Sequence, residues 1–168
     1  MSGAWGVLTT KGIAQVTSTS WGMLPVSDAN ARVSQVFCYA CPVSYDTHKH
    51  SKTDWAPLGN LVLRAAYEAA AWATVLQACE TGNDTLVLTL LGGGAFGNTE
   101  AWIIEAMDEA LQTLHRKDIA LNVVLNVFSR EQMKTRSKLF AFAKKWGLEA
   151  SPGVGGYYTH HPRSCPPW

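Results

Sequence analysis

The chain has 168 residues, a hydrophobic fraction of 47%, a charged fraction of 16% and a net charge of +1 at pH 7. This length suits one domain with a full core, and the near-neutral charge excludes a strongly basic binder of nucleic acid or membrane surfaces. The N-terminus, MSGAWGVLTT, lacks the basic and long apolar regions of a signal peptide, and no apolar run approaches the roughly 20 residues of a membrane span. We therefore expect a cytoplasmic protein that binds neither nucleic acid nor membrane.

The first part of the chain has the weakest pattern. Residues 1–32 carry many Gly, Ser and Thr residues, which predicts loops with one short strand near residues 13–16. The run VSQVFCYACPV, which starts at Val33, is rich in β-branched and aromatic residues. It predicts a buried strand over residues 33–41 that a turn at Pro42 closes.

A long helix is predicted after the polar segment SYDTHKHSKTD. Asp54 can cap this helix, which we expect to begin near Trp55 and to end near Cys79. Its many alanines suit a helix that packs closely against a sheet. The apolar positions that repeat at helical spacing predict its core-facing side: Leu63, Tyr67, Ala71 and Leu76.

The next strand and helix flank a glycine-rich stretch. TLVLTLL, residues 85–91, is almost continuously apolar, which predicts a strand covered on both faces. After the glycines, either Asn98 or Thr99 can cap a helix. The apolar side of that helix is predicted to be Ile103, Met107, Ala110 and Leu114.

The remaining pattern predicts one more strand and one more helix. IALNVVLNVF, residues 119–128, is a buried strand by composition. Ser129 and Gln132 make a capping-box pair for a helix that Gly147 ends. Residues 148–168 hold enough Pro and Gly for a tail or an extended flap.

Alternating strands and helices at this spacing predict an α/β fold of three layers, with a mainly parallel sheet flanked by helices. We expect a single α/β domain over residues 1–147, followed by a Pro/Gly-rich tail over residues 148–168. The strands near 33–41, 85–91 and 119–128 should be adjacent and parallel. Ligands bind at the carboxyl ends of such strands. Three segments should converge there: Ala40 to Tyr45, Gly92 to Asn98, and Phe128-Ser129.

The stretch LLGGGAFGN places four glycines between a strand and a helix. One interpretation is a tight turn without a ligand, although a single glycine would serve a turn. Another is a row of bare amides at a helix N-terminus that holds a phosphate or pyrophosphate. A third is a dinucleotide fold, since Gly92, Gly94 and Gly97 satisfy G-x-G-x-x-G, but no acidic residue ends the following strand. A P-loop is excluded because no Gly-Lys-Ser/Thr follows.

No catalytic constellation is recognisable in the sequence. Cys38 and Cys41 form a C-x-x-C, which we interpret as packing residues because structural zinc needs four well-placed ligands. The carboxylates nearest the predicted carboxyl ends, Asp46, Asp54 and Glu100, form no visible catalytic pair, and Glu100 suits a helix N-terminus. The sequence therefore favours binding over catalysis and indicates neither a metal nor a cofactor.

Four segments together resemble the second half of a macro domain: LVLRAAYEAAAWATVLQA, TLVLTLLGGGAFGN, WIIEAMDEAL and LNVVLNVF. The GAFGN form is most similar to the poly(ADP-ribose) glycohydrolase branch. The resemblance covers roughly Val33 to Ser129 and implies that ADP-ribose binds with its diphosphate on the amides of Gly93 to Gly97. It also implies that Phe96 packs against the distal ribose and that Phe128 lies near the adenine. The predicted ligand-binding residues are Gly92, Gly93, Gly94, Ala95, Phe96, Gly97, Asn98 and Phe128.

The first half of a macro domain has no counterpart in residues 1–32. That half carries an Asn-rich motif, a first glycine loop and, in the glycohydrolases, the paired catalytic glutamates. We therefore expect either the C-terminal half of a longer protein or a reduced relative that lost the catalytic half, with a small-molecule nucleotide as the partner in both cases. Because half a domain leaves sheet surface uncovered, we also expect a homo-oligomer or a partner subunit. The alternatives are a different nucleotide-binding α/β protein and a non-catalytic structural or interaction module.

Overall fold

The structure is a computed structural model that describes residues 8–14, 16–18, 23–25, 32–46, 50–127, 137–150 and 156–160. The chain divides into two compact units. The first unit spans residues 1–38 and the second spans residues 39–168. We describe each unit by itself.

The described residues of the first unit form two antiparallel strand pairs. Strand β1 (Leu8–Ala14) pairs with β4 (Arg32–Phe37), and the pairing is irregular within β1. Strand β2 (Val16–Ser18) pairs with β3 (Met23–Pro25). The sequence predicted one short strand in this part of the chain, whereas the structure contains three before β4. Gly12 lies within β1 and Ser18 within β2, so residues that favour loops in the sequence occur inside strands here.

The prediction that a strand over residues 33–41 would be parallel and adjacent to the strand over 85–91 is wrong. Strand β4 ends at Phe37 and pairs antiparallel with β1. The residues that follow β4 are irregular as far as a 3-10 turn at Val43–Asp46. The composition was right for a strand, but β-branched and aromatic residues fit any pleated surface and do not specify the partner strand.

The second unit contains a four-stranded sheet in the order β5-β6-β8-β7. Strand β5 (Thr85–Thr89) and strand β6 (Asn122–Val127) are parallel neighbours, as predicted. Strand β8 (Gly156–His160) is antiparallel to β6 and to β7 (Glu149–Ala150). The fold is therefore α/β, and its sheet is mixed.

Strands β7 and β8 fall within the stretch that was predicted as a Pro/Gly-rich tail, so that prediction needs correcting for these residues. The segment GYYTH contains two tyrosines and a threonine, which have high strand propensity. Without β8, one edge of β6 would lack a partner strand within this sheet. The Pro and Gly residues around this short segment concealed it in the sequence.

Three helices pack on the sheet of the second unit. Helix α1 spans Lys52–Thr81, α2 spans Glu100–His115 and α3 spans Ser137–Lys145. Ser51 is the N-cap of α1, and Asp54 completes a capping box rather than acting as the cap itself. The predicted cap pair before α3 lies outside the described residues. No helix in the described ranges is long and apolar enough to cross a bilayer.

One hydrophobic core joins the sheet to all three helices. Leu86 and Leu88 of β5 lie beside Val123 and Leu125 of β6, and their side chains are buried on the same face of the sheet. The helices add the larger part of this core: Leu63, Tyr67, Ala71, Val75, Ile103, Ala106, Met107, Ala110, Leu111, Leu114, Leu139, Phe142 and Ala143. The predicted core sides of α1 and α2 are thus confirmed, except that Val75 replaces Leu76, which is 63% exposed.

Candidate functional site

The loop from Gly92 to Asn98 follows the carboxyl end of β5 and lies against the segment 40–45. The amide of Ser44 donates to the carbonyl of Phe96 at 2.9 Å. The Asn98 side-chain amide Nδ2 donates to the carbonyl of Cys41 at 2.7 Å. The predicted convergence of these two segments is confirmed, although β4 itself belongs to the other unit. The third predicted segment, Phe128-Ser129, lies outside the described residues.

Two of the four glycines are required by the fold of this loop. Gly92 and Gly97 have φ angles of 73° and 71°, which residues with a side chain rarely adopt. A Cβ on Gly92 would lie 2.4 Å from the Cβ of Ala40. A Cβ on Gly97 would lie 1.7 Å from Oγ of Ser44. These glycines let the segment 40–45 approach the loop backbone closely.

Gly93 and Gly94 differ from that pair. A Cβ on Gly93 would lie 3.1 Å from Cδ1 of Ile103, a tight contact that a small shift can relieve. A Cβ on Gly94 would meet no atom within 4 Å, and the φ angle of Gly94 is not positive. Four glycines were expected to exceed the needs of a turn. In the structure, Gly94 is the glycine that neither sterics nor backbone conformation requires.

The backbone amides of the loop divide into two groups. Those of Gly93, Gly97 and Asn98 donate to the carbonyls of Leu90, Gly94 and Gly92 at 3.0 Å each, so they hold the loop in shape. The amides of Gly92, Gly94, Ala95 and Phe96 have no acceptor within the described residues. Gly94 and Ala95 are exposed, and Gly92 and Phe96 are half-buried. The consecutive amides available to a ligand are therefore those of Gly94, Ala95 and Phe96, a narrower set than Gly93 to Gly97.

Asn98 has a different role from the one its position suggested. Thr99 is the N-cap of α2, and its hydroxyl accepts from the amide of Trp102 at 3.4 Å. Asn98 is only 5% exposed, and its Nδ2 donates to the carbonyls of Cys41 and Gly92. It ties the loop to the segment 40–45. Its Oδ1 is buried without a hydrogen-bond partner.

Tyr67 of α1 holds the start of the loop, which the sequence analysis did not anticipate. Its hydroxyl donates to the carbonyl of Thr89 at 2.6 Å and accepts from the amide of Leu91 at 2.9 Å. Tyr67 was predicted only as a core residue, and it is indeed 4% exposed. A tyrosine on the core side of a helix usually finds a partner for its hydroxyl, and this was the only available signal.

Aromatic side chains lie beside the three available amides. The rings of Phe96 and Tyr45 meet edge to face, with their centroids 5.7 Å apart. Tyr45 is 68% exposed. Such rings offer an apolar surface for a sugar or a base. Tyr45 was within the predicted segment, but no role had been assigned to it.

Among the described residues, the titratable groups near the loop include two cysteine thiols and one carboxylate–imidazole pair. Burial raises the pKa of the Cys41 thiol and of the Cys38 thiol, which keeps both protonated and weakly nucleophilic at neutral pH. Asp46 pairs with Nδ1 of His50 at 2.7 Å. Across the described ranges, no three His, Cys, Asp or Glu side chains come together in a group that could hold a metal ion.

The fold and the site define an α/β protein with a glycine-rich strand-to-helix loop at the carboxyl end of a parallel strand pair. Comparisons of the chain with protein-family models, with curated proteins and with solved structures find no match.

Proposed function

We propose that this protein binds ADP-ribose or a related nucleotide diphosphate through the loop from Gly92 to Asn98. The observation that carries the proposal is the row of three consecutive amides, at Gly94, Ala95 and Phe96, that have no acceptor within the described residues. Loop amides are usually paired within the protein or with solvent, and a row of them concentrates donors on one acceptor. A phosphate group supplies several strong acceptor oxygens.

Two further features support a negatively charged ligand. The row of amides precedes α2, a helix of 16 residues whose N-terminus carries partial positive charge. Gly94 lies within the row, and its lack of a side chain has no reason in the fold. A close approach of phosphate to backbone does give a reason, because a Cβ would stand between the ligand and the amides.

The macro domain-like, three-layer architecture belongs to the same proposal. The feature that supports it is the succession of strand β5, the glycine loop and helix α2, with strand β6 parallel to β5. A third layer would cover the outer face of β5, where Thr85, Val87 and Thr89 are exposed. Val87 is 57% exposed, although the nearly continuous apolar strand predicted burial on both faces.

A ligand screen tests the proposal directly. Thermal unfolding should be followed with ADP-ribose, NAD, ATP, AMP and pyrophosphate, each at several concentrations. A ligand at about 100 times its Kd stabilises the folded protein by about 2.7 kcal/mol. We expect ADP-ribose to raise the melting temperature most. Stabilisation by ATP or NAD alone would favour a different nucleotide-binding α/β protein, and no shift with any of them at millimolar concentration would refute nucleotide binding.

One observation favours a second candidate function, a non-catalytic interaction module. Helix α1 has apolar side chains on the side opposite its core face. Leu58, Leu61 and Leu76 are 50%, 64% and 63% exposed, and at 100° per residue they lie within about 60° of one another. An exposed apolar stripe on a helix is typical of a surface that packs against another helix. Self-association through α1 is the outcome we expect if this function holds.

A further inference from the structure

Strand β5 is an edge strand, because the order β5-β6-β8-β7 leaves one of its sides without a neighbouring strand among the described residues. Successive residues of a strand direct their backbone amide and carbonyl to opposite sides. The amide of Asn122 in β6 donates to the carbonyl of Asp84, so the even-numbered residues of β5 point toward β6. The odd-numbered residues, Thr85, Val87 and Thr89, therefore direct their backbone groups to the open side.

Each of these residues carries one amide and one carbonyl, and one group at either end of the strand is already paired within the chain. The amide of Thr85 donates to Oδ1 of Asn83 at 3.1 Å. The carbonyl of Thr89 accepts from the hydroxyl of Tyr67 at 2.6 Å. The remaining groups have no partner within the described residues: the carbonyl of Thr85, the amide and carbonyl of Val87, and the amide of Thr89.

The unpaired groups match one arrangement of two copies of the chain. If β5 of a second copy lies antiparallel beside it, with a two-fold axis at Val87, each Val87 exchanges both hydrogen bonds with its counterpart. The amide of each Thr89 then donates to the carbonyl of Thr85 in the other copy. These bonds use every unpaired group and none of the paired ones. Moving the axis by one residue in either direction would instead place the paired amide of Thr85 or the paired carbonyl of Thr89 in the ladder.

The side chains of β5 suit the same arrangement. The sequence TLVLT reads the same in both directions, so the two-fold axis sets threonine against threonine, leucine against leucine and valine against valine. Cross-strand pairs of threonines and of β-branched residues are favourable. This strand also has no lysine, proline or bulge, the features by which proteins usually prevent pairing at an edge. Val87 is 57% exposed, so another chain has access to the centre of the strand.

We propose that β5 is a homodimer interface, at which two copies of the chain join antiparallel through the edge Thr85–Thr89. The partner is a second copy because the unpaired backbone groups and the symmetry of the sequence share one centre, at Val87. In the dimer, the two four-stranded sheets form one continuous sheet. This interface does not involve the apolar stripe of α1, and it does not depend on nucleotide binding.

Charges placed at the two-fold axis test the contact. Val87→Lys and Val87→Glu each set like charges directly opposite one another, so each should weaken dimerisation, measured by sedimentation equilibrium, by at least about tenfold. An equal mixture of the two variants should recover the dimer, because opposite charges then meet at the axis. Val124→Lys, on the neighbouring position of β6, is the matched control and should remain dimeric.

Disulfide trapping gives an independent measurement of the register. In a Cys79→Ser background, which removes an exposed thiol, Val87→Cys should cross-link under mild oxidation. Opposite Cα atoms in such a pair are about 5.5 Å apart, within the range of a disulfide. Thr85→Cys is exposed on the same face, but its counterpart lies opposite Thr89, roughly 13 Å farther along the strand. It should not cross-link.

Three outcomes would overturn the proposal. The first is a wild type that is monomeric at its highest soluble concentration. The second is a dimer that Val87→Lys leaves intact and Leu61→Lys dissociates, because that dimer forms through α1. The third is equal cross-linking of Val87→Cys and Thr85→Cys, which excludes the two-fold register. Circular dichroism should show that the charged variants fold, and if one does not, the comparison of the two cysteine variants decides.

Discussion

A matched pair of glycine substitutions separates the structural from the functional role of the loop. Gly92→Ala forces a side chain into a left-handed conformation, at a cost of about 1–2 kcal/mol. It also brings a Cβ to 2.4 Å from Ala40, and relieving that overlap costs about 1–3 kcal/mol more. We expect a total destabilisation of about 2–5 kcal/mol. For a chain of this size, this lowers the melting temperature by an amount on the order of 10 °C.

Gly94→Val should have the opposite effect, leaving stability nearly unchanged and abolishing binding. Its Cβ would meet no atom within 4 Å and its φ angle is not positive, so stability should change by no more than about 0.5 kcal/mol. Binding of ADP-ribose should be abolished, because the side chain stands over the available amides. Gly94→Ala should give an intermediate affinity.

The assays are urea unfolding followed by circular dichroism, and calorimetric titration with ADP-ribose. Far-ultraviolet spectra of the Gly94 variants should match the wild type. Two results would contradict the reasoning. Wild-type affinity in Gly94→Val would show that no phosphate lies on these amides, and a loss of stability in Gly94→Val as large as in Gly92→Ala would show that the space around Gly94 is not open.

Three further predictions concern stability and assembly. Asn98→Ala should destabilise by about 1–3 kcal/mol, because it removes both hydrogen bonds of a buried side chain, those from Nδ2 to the carbonyls of Cys41 and Gly92. Thr99→Ala should cost about 1 kcal/mol as a lost cap. Urea unfolding ranks the two variants, and equal effects would contradict the role given to Asn98. Burial raises the pKa of Asp108, but hydrogen bonds from Lys145, Trp146 and Gln112 outweigh it and leave that pKa below its ordinary value. The stabilisation is present above the unfolded pKa and is lost as pH falls through the folded pKa, so Asp108→Asn should be less stable than the wild type at pH 7. Urea unfolding at successively lower pH should show this difference shrinking once the pH is below the ordinary pKa of an aspartate. Leu61→Lys should reduce self-association measured by light scattering, and a wild type that stays monomeric at high concentration would remove the reason for an interface on α1.

The sequence predicted the elements of the second unit well where local pattern and tertiary structure agree. Strand β5, helix α2 and the parallel neighbour β6 occur where periodicity and caps place them. Strand pairing was harder, because local composition carries no information about the partner. Two elements show this. The strand predicted over 33–41 pairs with β1, in the first unit. The segment GYYTH pairs with β6, although it comes from a Pro/Gly-rich stretch.

The candidate site shows a similar limit. The loop was found from its glycines, but their number did not reveal which of them the fold requires. That distinction needs the positions of Ala40 and Ser44, which are distant in sequence from the loop and touch it only after folding. The hydrogen bonds of the Asn98 amide and of the Tyr67 hydroxyl could not be predicted for the same reason, because their partners are backbone atoms of other segments.

The anchoring of the loop has a consequence for the entropy of binding. Its start is held by Tyr67, its end by Asn98, and its centre by the bond from the amide of Gly97 to the carbonyl of Gly94. A flexible glycine segment would lose much backbone freedom when it closes around an anion. This segment is already ordered by the protein, so most of that loss has occurred on folding. Any anion that reaches it meets a preorganised receptor, and its affinity should depend mainly on the contacts it makes.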